Sequence, residues 1–142
     1  MSDSIKDLSD PDVSAAERYE RGLALKKAGL YRAAIEQLEM AVAELPLVVK
    51  AYAQIGLCYK LSGRYEEAVP AFQKALKAAP ASSKETVQIL YVLGRTLESL
   101  GRIAETLEAY RWIRREDAAY RDVVERIERL SSCRSMAAAR KS

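Results

Sequence analysis

Residues 49–82 read VKAYAQIGLCYKLSGRYEEAVPAFQKALKAAPAS. Two runs of apolar residues at helical spacing lie in this stretch, separated by a break. Tyr52, Ile55, Gly56 and Tyr59 share one face of a first helix, and Ala68, Val69, Phe72, Ala75 and Leu76 share a face of a second. Gly63 stands where a left-handed residue stops the first helix, and Pro80 with Ser82 and Ser83 ends the second. The stretch is therefore expected to hairpin as two antiparallel helices.

The pattern recurs on both sides. All six glycines fall in pairs seven apart, Gly22 with Gly29, Gly56 with Gly63 and Gly94 with Gly101; the first two pairs are 34 residues apart and the last two 38. Tyr31 and Tyr65, Ala34 and Ala68, Ala41 and Ala75, and Pro46 and Pro80 keep the 34-residue beat. The four extra residues come close to one helical turn of about 3.6, so a longer helix capped by Ser82 or Ser83 keeps its apolar face in register. Gly22, Gly56 and Gly94 sit inside helices, where each costs about 1 kcal/mol relative to alanine. Close helix approach is the expected offset, with Ala34 and Ala68 as the small residues opposite.

These residues resemble tetratricopeptide repeats. The middle unit supplies Tyr52, Ile55, Gly56, Tyr59, Gly63, Tyr65, Ala68, Phe72, Ala75 and Pro80 at the places of that pattern. A first unit over 15–48 keeps Gly22, Gly29, Tyr31, Ala34, Leu38, Ala41 and Pro46, with Arg18 and Arg21 where large apolar residues are usual. A third over 87–120 keeps Leu90, Leu93, Gly94, Leu97, Gly101 and Tyr110, with Thr106, Ile113 and Ala118 as departures. A capping helix is expected over about 118–131, with Asp117 as N-cap and Tyr120, Val123, Val124, Ile127 and Leu130 on one stripe. The resemblance implies an all-α fold, a right-handed α-solenoid of antiparallel helix pairs with about seven helices over 15–130. Residues 1–14 are expected to be a mobile acidic segment and 132–142 a mobile basic tail. Pro70, early in its helix, predicts a local bend rather than a break.

The chain of 142 residues has a hydrophobic share of 49% and a charged share of 30%, which fits one folded domain. There is no histidine, which excludes imidazole bases, Ser-His and Cys-His nucleophiles and imidazole zinc ligands. Between 15 and 130 the only aspartates are Asp117 and Asp122, and the glutamates sit on or near polar helix faces. An enzyme is not expected, nor a metal or cofactor. A net charge of +3 is far short of a nucleic-acid binder's field, so no nucleic-acid partner is expected. No run reaches the ~18 apolar residues of a membrane span, and the acidic N-terminus is unlike a signal peptide. Cys58 and Cys133 form no C-x-x-C motif, and a reducing, cytoplasmic setting is expected.

The resemblance implies that the first helix of each pair lines a concave groove. Carried over position by position, the lining is Tyr19, Leu23, Lys26 and Lys27, then Lys50, Ala53, Gln54, Leu57 and Lys60, then Gln88, Tyr91, Arg95 and Glu98. Five bases against Glu98 favour a protein or peptide partner that carries apolar anchors and acidic residues. The expected function is a non-catalytic interaction module or adaptor; the alternatives are a dedicated chaperone and a self-associating assembly factor. One subgroup of the family grips chaperone C-termini with a Lys, Asn and Arg carboxylate clamp. Those places here hold Tyr19, Leu23, Gln54, Gln88 and Val92, which disfavours that docking mode. A lid formed by the chain's own acidic N-terminus, with Asp10 or Asp12 on Arg18 or Arg21, is a further expectation.

Overall fold

A computed structural model describes residues 13–78 and 81–141. These form seven α-helices: α1 (Ala15–Lys27), α2 (Tyr31–Ala41), α3 (Leu45–Leu61), α4 (Tyr65–Lys77), α5 (Ser83–Ser99), α6 (Ile103–Glu116) and α7 (Val123–Lys141). Each packs on the next in chain order, and α1 also touches α3, so the hairpins stack as one all-α solenoid. Of the segment over 1–14 expected to be mobile, residues 1–12, with the expected lid, lie outside the described residues, as does Pro80, whereas Val13 is buried and Ser14 caps α1.

One turn closes every hairpin. Gly29, Gly63 and Gly101 adopt φ of +80°, +81° and +74°, the left-handed conformation that glycine enters without a Cβ penalty. Each glycine N–H donates to the carbonyl three residues back, and the next residue's N–H reaches further, Leu30 to Leu25, Arg64 to Tyr59 and Arg102 to Leu97. This paired arrangement satisfies carbonyls that a helix end would otherwise leave bare.

The second set of glycines permits close contact, but the partner differs from the expected one. A Cβ at Gly22, Gly56 or Gly94 would lie 2.6 Å from Leu38, 2.6 Å from Phe72 or 2.3 Å from Tyr110. Ala34 and Ala68 are buried nearby, yet the group that fills each gap is large and stands one turn later. The missing side chain makes room first for a large side chain, and at Gly22 the Ala34 carbonyl also lies 3.4 Å from the Cβ position. Phe72 and Tyr110 are fully buried there, each at the centre of its repeat's core.

Four boundaries also differ. Pro46 does not end α2; it lies at the first turn of α3, where its missing N–H costs no hydrogen bond. Asp117 is the C-cap of α6, and its carboxylate accepts from the Ala119 N–H, so it does not cap the last helix. The closing helix starts later than residue 118 and runs on through residues expected in a tail, to Lys141. Ser82 does cap α5, in a reciprocal box with Glu85. Helix α4 continues through Pro70, which is exposed.

Candidate peptide-binding face

Helices α1, α3 and α5 turn equivalent residues toward one face. A cleft of about 570 Å³ opens there, lined by Tyr19 from α1, Val49, Lys50, Ala53 and Gln54 from α3, and Lys84, Glu85, Gln88 and Ile89 from α5. Five of the residues expected in the groove, Tyr19, Lys50, Ala53, Gln54 and Gln88, thus meet in one place. Its polar rim is lysine and amide with Glu85 as the acid, and its apolar content comes from Tyr19, Val49, Ala53 and Ile89. Burial pushes the Tyr19 hydroxyl above its ordinary pKa, assisted by Glu20, while a hydrogen bond with Gln54 opposes the shift. Tyr19 is therefore a neutral amphipathic wall at physiological pH.

The rest of the expected lining divides in two. Leu23, Leu57, Lys26 and Lys60 are half-buried on α1 and α3, whereas Lys27 and Arg95 are exposed. Lys26 Nζ donates to Gln54 Oε1 at 2.7 Å, which ties α1 to α3 and orients the amide in the cleft. Burial lowers the Lys60 pKa, and the nearby Arg95 charge lowers it further.

Tyr91 and Glu98 are not open groove residues. Tyr91 is only 8% exposed, and its hydroxyl donates to Asp122 Oδ1 at 2.8 Å. Its ring meets Tyr120 edge-on at 5.7 Å, with the Arg121 guanidinium 4.9 Å from the ring centre. Arg121 holds a φ of +45°, a strained value for a non-glycine residue. Glu98 accepts from the Tyr110 hydroxyl at 2.9 Å and pairs with Arg126 at 3.3 Å and Arg129 at 3.5 Å. Arg126 also pairs with Asp122 at 2.8 Å. Burial raises the Tyr110 pKa, and its bond to Glu98 raises it more. Burial also acts to raise Asp122, but the hydrogen bonds from Tyr91 and Arg126 outweigh it and hold the carboxyl below its usual value. Burial opposes the charge of Arg126, yet its partners, Asp122 first, keep its pKa above the usual guanidinium value. At Tyr91 and Glu98 the α5 side of the face is thus occupied by the chain's own closing elements, while its N-terminal part stays open in the cleft.

The sequence profile of the tetratricopeptide repeat family matches residues 49–82, the middle hairpin. Solved structures share the whole architecture. The TPR2AB domain of yeast Sti1, in a pHSP90 complex, superposes with a TM-score of 0.73 over 89% of this chain at 20% identity. The middle hairpin is a tetratricopeptide repeat, and the fold is that of these solved TPR structures. The chain spans 50% of that Sti1 chain. The second TPR domain of human RPAP3, bound to an HSP70 peptide, gives a TM-score of 0.66 at 20% identity over 82% of this chain and 94% of its own. The Yersinia enterocolitica type III secretion chaperone SycD, bound to a peptide of the translocator YopD, gives 0.60 at 15% identity over 89% and 94%. No curated protein sequence matches the chain significantly.

Within this solenoid, sequence reasoning missed Val49, Lys84, Glu85 and Ile89 as cleft residues. Lys84 stands one turn before Gln88, so the helical spacing that selected Gln88 also reaches it. Cys58 is a buried free thiol whose pKa burial raises, which suits a core residue and not a nucleophile. Among the described residues no helix is long and apolar enough to cross a membrane.

Proposed function

We propose that this protein is a non-catalytic interaction module that holds a segment of another protein against the face built by α1, α3 and α5. The observation that carries this reading is the 570 Å³ cleft where Tyr19, Lys50, Gln54, Lys84 and Gln88 converge from three separate helices. Its lysines and apolar wall suit a peptide with acidic residues and apolar anchors. The peptide complexes of the RPAP3 and SycD structures support a peptide ligand for a fold of this kind. The two free thiols support action in a reducing, cytoplasmic compartment.

Peptides selected on the full chain from a displayed random 12-residue library test the proposal. Ala53→Glu places a carboxylate in the cleft wall, and it is expected to abolish binding while helical circular dichroism stays intact. Unchanged affinity would remove the cleft from consideration. Met136, 57% exposed on the distal part of α7, favours a second reading, self-association through the closing helix. Sedimentation showing a concentration-independent monomer would exclude it.

A further inference from the structure

Along the α1, α3 and α5 face, one contact recurs from step to step and the middle step lacks it. Lys26, Lys60 and Glu98 occupy equivalent positions, separated by the repeat spacings of 34 and 38. At the first step Lys26 reaches Gln54 on α3, and at the last Glu98 reaches Arg126 on α7, each a link of 28 residues in sequence. On α5, the residue equivalent to Gln54 is Val92, which offers no polar group to Lys60. The residue equivalent to Leu57 is Arg95, so the middle step sets a second cation beside the first. Val92 and Arg95 stand one turn apart on α5, so by the register of the Lys26–Gln54 contact Arg95 adjoins the place that Lys60 faces, and its charge adds to the lowering of the Lys60 pKa by burial. Glu98, one turn from Arg95, is already taken by Tyr110, Arg126 and Arg129. Among the described residues no carboxylate forms an ion pair with Lys60 or Arg95.

Two like charges, Lys60 half-buried and Arg95 exposed, repel each other and gain nothing within the chain. We infer that Lys60 and Arg95 together receive the side-chain carboxylate of an acidic residue in the bound segment, an inference that rests on the groove reading above. The ammonium supplies a point charge, and the guanidinium offers the planar fork that fits a carboxylate. Leu57, three residues before Lys60, lies on the same side of α3 and offers an apolar contact to the neighbouring residue of the segment. Tyr91 and its Asp122 partner close the face beyond this point, which makes the pair the last open station along it.

A synthetic peptide chosen from the library above, titrated by fluorescence anisotropy at low salt, is the probe. Lys60→Gln and Arg95→Gln are each expected to weaken binding about ten-fold. Replacing the critical Glu or Asp of the peptide by its amide should cost a similar factor against the wild-type chain and nothing against the double variant. Because the pair is repulsive in the free protein, both variants should melt no lower than wild type. A lower melting point would reveal an internal partner and overturn the assignment. Peptides that lose affinity to Ala53→Glu yet bind both glutamine variants within about two-fold of wild type would leave the groove standing and remove this site. Peptides indifferent to Ala53→Glu would remove the groove reading itself. A clear preference for phosphoserine over the acid would overturn the choice of a carboxylate.

Discussion

Tyr19 and Tyr91 occupy equivalent positions on the first helices of the first and third repeats, yet one lines an open cleft and the other is buried. The difference lies in the element stacked next to each helix pair. Beyond α1 the next first helix, α3, brings Ala53 and Gln54, small and neutral groups that leave space. Beyond α5 the closing elements bring Tyr120, Arg121, Asp122 and Arg126, which cover Tyr91 and neutralise Glu98. Glu98 also lies in the last turn of α5, where a carboxylate opposes the helix dipole and needs cations from elsewhere. The same periodic position therefore lines an open cleft or forms an internal lock according to the charge and size of the neighbour it meets.

The largest test of this contrast removes the ring behind the lock. Tyr110→Ala is expected to cost about 3–5 kcal/mol in urea unfolding, because it empties a fully buried site and strips Glu98 of a donor. Next come the glycines at the two ends. Gly94→Ala forces a Cβ to 2.3 Å from a ring tethered at its hydroxyl, and should cost about 1–3 kcal/mol. Gly22→Ala brings its Cβ to 2.6 Å from Leu38 Cγ, but Leu38 has no tethered polar end and the helix gains propensity, so a smaller loss is expected. If the two losses were equal, the rigidity ascribed to the C-terminal end would be wrong.

Arg126→Gln should loosen α7 by about 1–3 kcal/mol, read as faster amide exchange in α7 than in α1. Asp122 gives the contrast a pH signature. Its carboxyl is depressed in the folded state, so its contribution is fully present above the ordinary carboxylate range near pH 4 and is lost as pH falls through the folded value. Wild type should then lose α7 protection below about pH 4, and Asp122→Asn should flatten that dependence. The smallest effect belongs to the open end: Lys26→Met, which breaks the equivalent link to Gln54, should change stability by no more than about 0.5 kcal/mol.

Much of the molecule is legible in the sequence because its signals are local. The three hairpin glycines, the Ser82 capping box and the apolar stripes each act within a few residues, and spacing alone places them. The site is legible in part, since helical register puts Tyr19, Lys50, Ala53, Gln54 and Gln88 on one side. Register fails for Tyr91 and Glu98 because their partners lie 31 and 28 residues away on elements outside the repeat pattern. It fails for Asp117 because an aspartate suits both ends of a short connection, and only the path of the chain chooses between them.

Repetition of 34 and 38 residues determined three helix pairs, their turns and the face on which their first helices align, because helix and turn preferences are settled by neighbours in sequence. Tertiary structure decided which large side chain fills the space beside each buried glycine, where the closing helix begins, and how much of the aligned face stays open. Those outcomes depend on volume and charge brought together from distant residues, and such contacts exist only once the solenoid has stacked.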